Sequence, residues 1–113
     1  MRVLLDEDLP VRLRLHFPPG IVVETSEFRG WKGIKNGALL RAAEGQFDAL
    51  VTMDDHLPDQ QNLSLITIAV VILRARSKSL DDLLELMPEL ERRLPELRPG
   101  MAVRIYPPGS APQ

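Results

Sequence analysis

RVLLDEDLP, residues 2–10, is the stretch that decides the fold of this chain. Its apolar run, Val3 to Leu5, does not alternate with polar residues, which is typical of a parallel strand covered on both faces. Asp6, Glu7 and Asp8 follow at the carboxyl end of this strand, where open α/β sheets bind their ligands. We therefore consider these acids as candidates for holding a divalent cation. The alternative is structural: Asp8 caps a helix that begins near Pro10, and Asp6 bonds to loop amides.

The remainder of the chain alternates apolar runs with helical patterns. The alternation predicts an α/β fold with a mostly parallel central sheet and helices on both faces. The last strand alternates in polarity, so we expect it at an edge. Strands are predicted within 2–5, 21–23, 49–52, 66–73 and 102–106, and helices within 10–16, 37–44 and 80–97, the last kinked or divided at Pro88. We expect one domain over residues 1–106 and a flexible tail over 107–113.

Composition excludes several classes of protein. The chain has 113 residues and no cysteine, which suits a single domain without disulfides or thiolate metal sites in a reducing cytoplasm. The longest apolar stretch, residues 66–73, is too short to cross a membrane, and no secretory signal pattern is present. A net charge of −2 gives no overall attraction to nucleic acid, so a nucleic-acid partner would need a local basic patch or a metal ion.

A second group of acids follows the predicted third strand. Asp54 and Asp55 come directly after the run Ala49 to Met53. The carboxyl ends of parallel strands share one edge of a sheet, so we expect Asp54 to lie near Asp6. Clustered carboxylates favour a hard cation such as Mg²⁺ or Mn²⁺, and such a site near basic residues is typical of metal-assisted phosphodiester hydrolysis. The alternative is that Asp54 and Asp55 cap a helical turn.

The loop before the second helix, residues 28–36, mixes cations, glycines and aromatic rings. Arg29, Lys32 and Lys35 are the best candidates for contacts to phosphate, and Trp31 either stacks a base or, as we favour, packs with Phe28 into the core. At the end of this loop, Asn36 is predicted to cap the following helix and is a further candidate for substrate binding.

Four segments of the chain resemble a family of small PIN-like domains related to VapC-type toxins. They are LLDEDLP (4–10), GWKGIKNG (30–37), LVTMD (50–54) and QQNL (60–63). The resemblance implies a Rossmann-like, PIN-type three-layer sandwich and an Mg²⁺- or Mn²⁺-dependent endoribonuclease. It also implies the toxin component of a toxin–antitoxin pair, with RNA as substrate and a cognate antitoxin as protein partner.

The resemblance also assigns roles to individual residues. Asp6 and Asp54 match the catalytic, metal-binding acids, with Glu7 and Asp55 as neighbouring metal ligands. One position departs from the family pattern: Ala38 stands where an acid usually begins the second helix. The alternative function is therefore a catalytically degenerate module that binds a partner protein or nucleic acid.

Two further interpretations remain open at this point. A receiver domain of the response-regulator kind would need a lysine at the end of a late strand, and Leu73-Arg74 supplies none, so it ranks third. The leucine-rich segment 80–97 forms either a homodimer surface or a helix pair in the core.

Overall fold

Five parallel strands form the centre of the structure, a computed structural model that describes residues 1–110 apart from the side chain of Gln60. They lie in the order β2-β1-β3-β4-β5, and every neighbouring pair is parallel. The predicted α/β class and the edge position of the last strand are confirmed. The strands are β1 (Arg2–Leu5), β2 (Val22–Thr25), β3 (Ala49–Thr52), β4 (Ala69–Leu73) and β5 (Ala102–Ile105).

Helices cover both faces of this sheet, which gives three layers compatible with a Rossmann-like sandwich. The helices are α1 (Asn36–Ala43), α2 (Leu57–Gln60), α3 (Leu80–Leu84) and α4 (Met87–Arg93), with 3-10 helices at Val11–His16, Leu63–Leu65 and Leu94–Glu96. One face packs on α1 and α2, and its buried strand residues are Leu4, Leu50, Val70 and Ile72. The other packs on the first 3-10 helix, α3 and α4, through Val3, Leu5, Val51, Val71 and Leu73. Burial on both faces explains why these strands lack alternation.

The strand order places a topological switch point between β1 and β3. The chain leaves β1 toward β2 on one side and later returns to β3 on the other, as in flavodoxin-like sheets, which bind ligands outside the carboxyl ends of the strands at this point. The acids that follow β1 and β3 therefore lie at the position where this architecture opens a crevice.

The crossover from β4 to β5 has the opposite hand to the first crossover. The 3-10 helix Val11–His16 and the pair α3–α4 pack on the same face of the sheet, but their connections move across the sheet in opposite directions. Parallel crossovers are nearly all right-handed, so one of the two is an exception. The other face is covered by α1, α2 and the 3-10 helix Leu63–Leu65.

Several local predictions need correction. The first helix is a 3-10 helix without a side-chain cap, so Asp8 does not cap it. β4 begins at Ala69 rather than Ile66, because the backbone N–H of Ile66 is used to close the preceding 3-10 helix on Leu63. Asn36 is the first residue of α1 and makes no cap bond.

The leucine-rich segment is a helix pair in the core, as one of the two interpretations predicted. Pro88 lies in the first turn of α4, where proline is tolerated. Four leucines of the segment are buried, namely Leu83, Leu86, Leu90 and Leu94, and Leu80 and Leu84 pack partly buried against the same core. The homodimer stays a prediction.

The end of the described chain is a turn. Pro107 is buried, and the N–H of Ser110 donates to its carbonyl; residues 111–113 of the predicted tail lie outside the described residues. Within residues 1–110 we find no helix with the length and apolar character needed to cross a membrane.

Candidate functional site

The hydroxyl of Thr52 is the centre of the candidate site. Thr52 is the last residue of β3 and is fully buried. Its Oγ1 donates to Oδ2 of Asp6 at 2.8 Å, accepts from the backbone N–H of Asp54 at 3.1 Å, and lies 3.2 Å from Oδ2 of Asp8. One side chain thus connects acids that are more than forty residues apart in sequence.

Asp6 is almost completely buried, with 6% of its surface exposed. Its Oδ1 accepts the N–H of Glu7 at 2.8 Å. Burial raises the pKa of Asp6, hydrogen bonds from Thr52 and the Glu7 N–H oppose the rise, and the charges of Glu7 and Asp54 add to it. The ionised form of Asp6 is therefore held in an environment that disfavours negative charge.

Asp8 has one carboxylate oxygen with a donor and one without. Its Oδ2 accepts the N–H of Met53 at 3.0 Å, whereas Oδ1 is buried and has no hydrogen-bond partner among the described residues. Burial raises the pKa of Asp8, and the charge of Asp6 raises it further. The hydroxyl of Thr52 has a single proton and can donate to only one of Asp6 and Asp8 at a time. The charge of Lys78 opposes the rise in the pKa of Asp8.

Asp54 is oriented by the start of α1. Its Oδ1 accepts the N–H of His56 at 2.9 Å, and its Oδ2 accepts the side-chain amide of Asn36. A Cβ added at Gly37 would meet the amide of Gln61 at 2.8–2.9 Å, so the small residue lets the α2 segment close on the first turn of α1. The stretches of chain around Asn36, Asp54 and Gln61 thus meet at one corner of the site.

Glu7 and Asp55 lie elsewhere along this edge. Glu7 is exposed, and its Oε1 accepts the N–H of Gly33 at 2.8 Å, which ties the basic loop to the end of β1. Asp55 forms ion pairs with Arg74 and Arg104, and hydrogen bonds from these two guanidinium groups lower its pKa to about 2. The structure therefore groups Asp8, rather than Asp55, with Asp6 and Thr52.

The cations of the basic loop divide into two kinds. Arg29 pairs with Glu24 at 3.2 Å and lies over the ring of Trp31 at 4.8 Å, so its charge is used within the chain, whereas Lys32 and Lys35 are exposed. Trp31 packs edge-to-face on the Phe47 ring at 6.3 Å, as the favoured interpretation predicted. The prediction that Phe28 fills the core is wrong, because that side chain is 76% exposed.

Comparisons with protein-family models, curated proteins and solved structures give no match.

The donor set at this edge fits a hard divalent cation in its chemistry. Asp6, Asp8 and Asp54 supply carboxylate oxygens, the ligands that Mg²⁺ and Mn²⁺ prefer, and Oδ1 of Asp8 is a buried oxygen without a donor. Within residues 1–110 no three Asp, Glu or His side chains stand in a ready-made ligand arrangement. The hydrogen bonds from Asn36 and His56 to Asp54 account for part of this, because they hold that carboxylate toward α1 and α2.

Thr52, Arg74 and Arg104 were not among the candidates from the sequence. A polar residue ending a strand as apolar as Ala49–Val51 was the available signal for Thr52, because a buried hydroxyl needs partners. Arg74 and Arg104 gave no local signal, since their role depends on which strands become neighbours in the sheet.

Proposed function

We propose that this chain is an Mg²⁺- or Mn²⁺-dependent endoribonuclease of the PIN-like type, and the toxin component of a toxin–antitoxin pair. The observation that carries the proposal is the hydrogen-bonded group in which the Thr52 hydroxyl joins Asp6 and Asp8 to the backbone of Asp54. Buried carboxylates with raised pKa values are costly to a fold, so their presence at the ligand-binding edge favours a functional role. The four resembling segments supply the identity of the substrate.

In this proposal each residue has a definite task. Asp6 and Asp54 would hold the cation, with the unpartnered Oδ1 of Asp8 as the further oxygen that the alanine at position 38 does not supply. Such a cation supplies Lewis-acid charge to a phosphate oxygen and lowers the pKa of water. Thr52 fixes the orientation of the Asp6 carboxylate, and Asn36 fixes that of Asp54. Lys32 and Lys35, exposed beside the start of α1, would attract the RNA backbone.

Cleavage of a labelled single-stranded RNA tests the proposal. We expect the purified chain to cut the RNA in Mn²⁺ and not in EDTA, and Asp54→Asn to lose the activity because the substitution removes a charged ligand. Asp48→Asn is the matched control. Asp48 lies just before β3, at the end of that strand opposite to Asp54, and its carboxylate accepts the N–H of Arg2. Equal cleavage by Asp54→Asn and the natural chain would contradict the assignment, and so would cleavage that persists in EDTA.

A non-catalytic binding module on the same fold is the second candidate, and Ala38 favours it. Ala38 is exposed in the first turn of α1, next to the residues that orient Asp54. If the natural chain is inactive but Ala38→Glu cuts RNA in Mn²⁺, the framework is that of a nuclease that has lost one acid. If neither chain cuts RNA, the nuclease proposal fails.

A further inference from the structure

A second charged cluster lies on the same edge of the sheet as the acids. Thr52 pairs in register with Ile72 of β4, and Ile72 pairs with Arg104 of β5. Register partners in a parallel sheet point to the same face, and neighbouring strands are about 4.8 Å apart. The backbone of Arg104 therefore lies about 10 Å from that of Thr52. The side chains of both residues point to the face of the sheet that carries α1.

The cluster consists of Asp55 between two arginines. Arg104 donates from Nε to Oδ1 of Asp55 at 2.6 Å and from Nη2 to its carbonyl at 3.3 Å. Arg74 pairs with the other carboxylate oxygen. Because Asp55 is ionised at neutral pH, these three residues have a net charge of +1. Asp59 is the further acid whose charge acts on Arg104.

Both guanidinium groups keep donors that Asp55 does not use. Each arginine has five N–H donors in a planar fork that suits phosphate as well as carboxylate. Arg74 pairs with Asp55 through Nη1, and Arg104 bonds to Asp55 through Nε and Nη2. Their side chains are 39% and 36% exposed, so the unused donors have access to a ligand.

The cluster continues a line of charges along the edge. The exposed Lys32 and Lys35 come after β2, on one side of Asp6 and Asp54. On the other side, Arg74 directly follows β4 and Arg104 lies within β5. A strand of nucleic acid lying across the carboxyl ends would meet cations on both sides of the acids. Arg29, which is paired within the chain, is not needed for this contact.

We propose that Arg74 and Arg104, held in place by Asp55, form a subsite for a backbone phosphate of the RNA, next to the acids of the cleavage site. This inference rests on the proposed ribonuclease function and specifies where its substrate is held. It also gives Asp55 a role different from metal binding: Asp55 positions the two arginines. A purely structural cluster, which only ties the α2 segment to β4 and β5, is the competing explanation.

Binding of a fluorescein-labelled, twelve-nucleotide single-stranded RNA, measured by anisotropy in EDTA so that no cleavage occurs, separates the two explanations. We expect the double variant Arg74→Gln/Arg104→Gln to bind about tenfold more weakly, with a shallower dependence of affinity on salt, because charge-assisted phosphate contacts are lost. The control is Arg92→Gln, which removes an arginine that pairs with Glu89 on the surface of α4.

The direction in which Asp55→Asn changes the RNA affinity decides between the two explanations. If the arginines bind phosphate, removing their counter-charge raises the cluster from +1 to +2 and tightens RNA binding several-fold, by more than Glu7→Gln, which removes one negative charge elsewhere on the same edge. If the cluster is only structural, Asp55→Asn leaves binding unchanged or weakens it, and the subsite is overturned. Thermal melts verify that each variant is folded, and Asp55→Asn decides the question alone if the double variant is not.

Failure of the subsite and failure of the nuclease proposal give different results. If the natural chain binds RNA and all variants bind it with the same affinity, the subsite is overturned, and the nuclease proposal is still decided by the cleavage assay. A natural chain that binds no RNA overturns both.

Discussion

Asp6→Asn is expected to stabilise the metal-free protein while lowering the proposed Mn²⁺-dependent cleavage of RNA by at least about 100-fold. The two expected effects have one cause: the buried negative charge of Asp6 is costly to the fold, and the proposed cation would need that charge. Asn preserves the local bonds: its oxygen accepts the N–H of Glu7, and its amide donates to Oγ1 of Thr52. The Thr52 hydroxyl is then free to donate to Asp8, which removes the competition between the two acids.

The sign of the stability change follows from the pKa of Asp6. Burial raises the pKa in the folded state above the ordinary value of 3.8, so the native state binds more protons than the unfolded state between these two values. The free energy of unfolding therefore falls as pH rises through the folded-state pKa. At pH 7 in EDTA we therefore expect Asp6→Asn to be more stable than the natural chain and to have a higher Tm, because its side chain carries no charge to bury.

Adding Mn²⁺ should reverse this order of stability. An ion that binds only the native state stabilises it by about 2.7 kcal/mol at a hundred times its Kd, and Asp6→Asn lacks the charge needed to share that gain. Asp48→Asn should show neither effect. Thermal denaturation at pH 4 and pH 7, with EDTA or with Mn²⁺, measures these changes in stability. A lower Tm for Asp6→Asn than for the natural chain in EDTA at pH 7 would contradict the account, because it would show that burying the charge of Asp6 does not destabilise the fold.

Thr52→Val is expected to cause the largest loss of stability among the site variants. Valine matches threonine in shape, but it has no hydroxyl to donate to Asp6 or to accept from the N–H of Asp54. Oδ2 of Asp6 and the backbone N–H of Asp54 then lose their partner, which costs about 2–3 kcal/mol at neutral pH. The loss should be smaller near pH 4, because a protonated Asp6 needs the donor less.

Denaturant unfolding of Thr52→Val and Thr52→Ser isolates the hydroxyl. Serine retains Oγ and should stay much closer to the natural chain, whereas valine should lower the midpoint strongly. If valine changes the free energy of unfolding by less than about 0.5 kcal/mol, the hydroxyl does not hold the acids together, and the group is a coincidence of packing.

The strands were predictable because burial on both faces leaves a signature in consecutive residues. Val3 to Leu5 and Ala49 to Val51 are apolar without alternation, and the structure places them side by side. The α/β class followed from this pattern. Element boundaries were less predictable, as at Ile66, because the closing bond of a 3-10 helix leaves no mark in the hydrophobic pattern.

The contents of the site were predictable only in part. Asp6 and Asp54 could be named because Asp6 directly follows β1 and Asp54 comes two residues after β3, which can be read from the order of residues in the chain. The partners of these acids could not be named, because they depend on which strand ends become neighbours. Asn36 looked like a helix cap but donates to Asp54. Asp55 looked equivalent to Asp54, yet the next residue along a chain faces another direction, and here it meets two arginines.

A crystal structure of the protein with Mn²⁺ tests the central claim most directly, with anomalous diffraction data collected to locate the manganese. We expect one manganese peak at the carboxyl ends of β1 and β3, with oxygens of both Asp6 and Asp54 at about 2.2 Å and Oδ1 of Asp8 as the third carboxylate oxygen. Saturating Mn²⁺ that leaves no peak there, or an ion bound by only one of Asp6 and Asp54, would contradict the claim that the two acids share a cation.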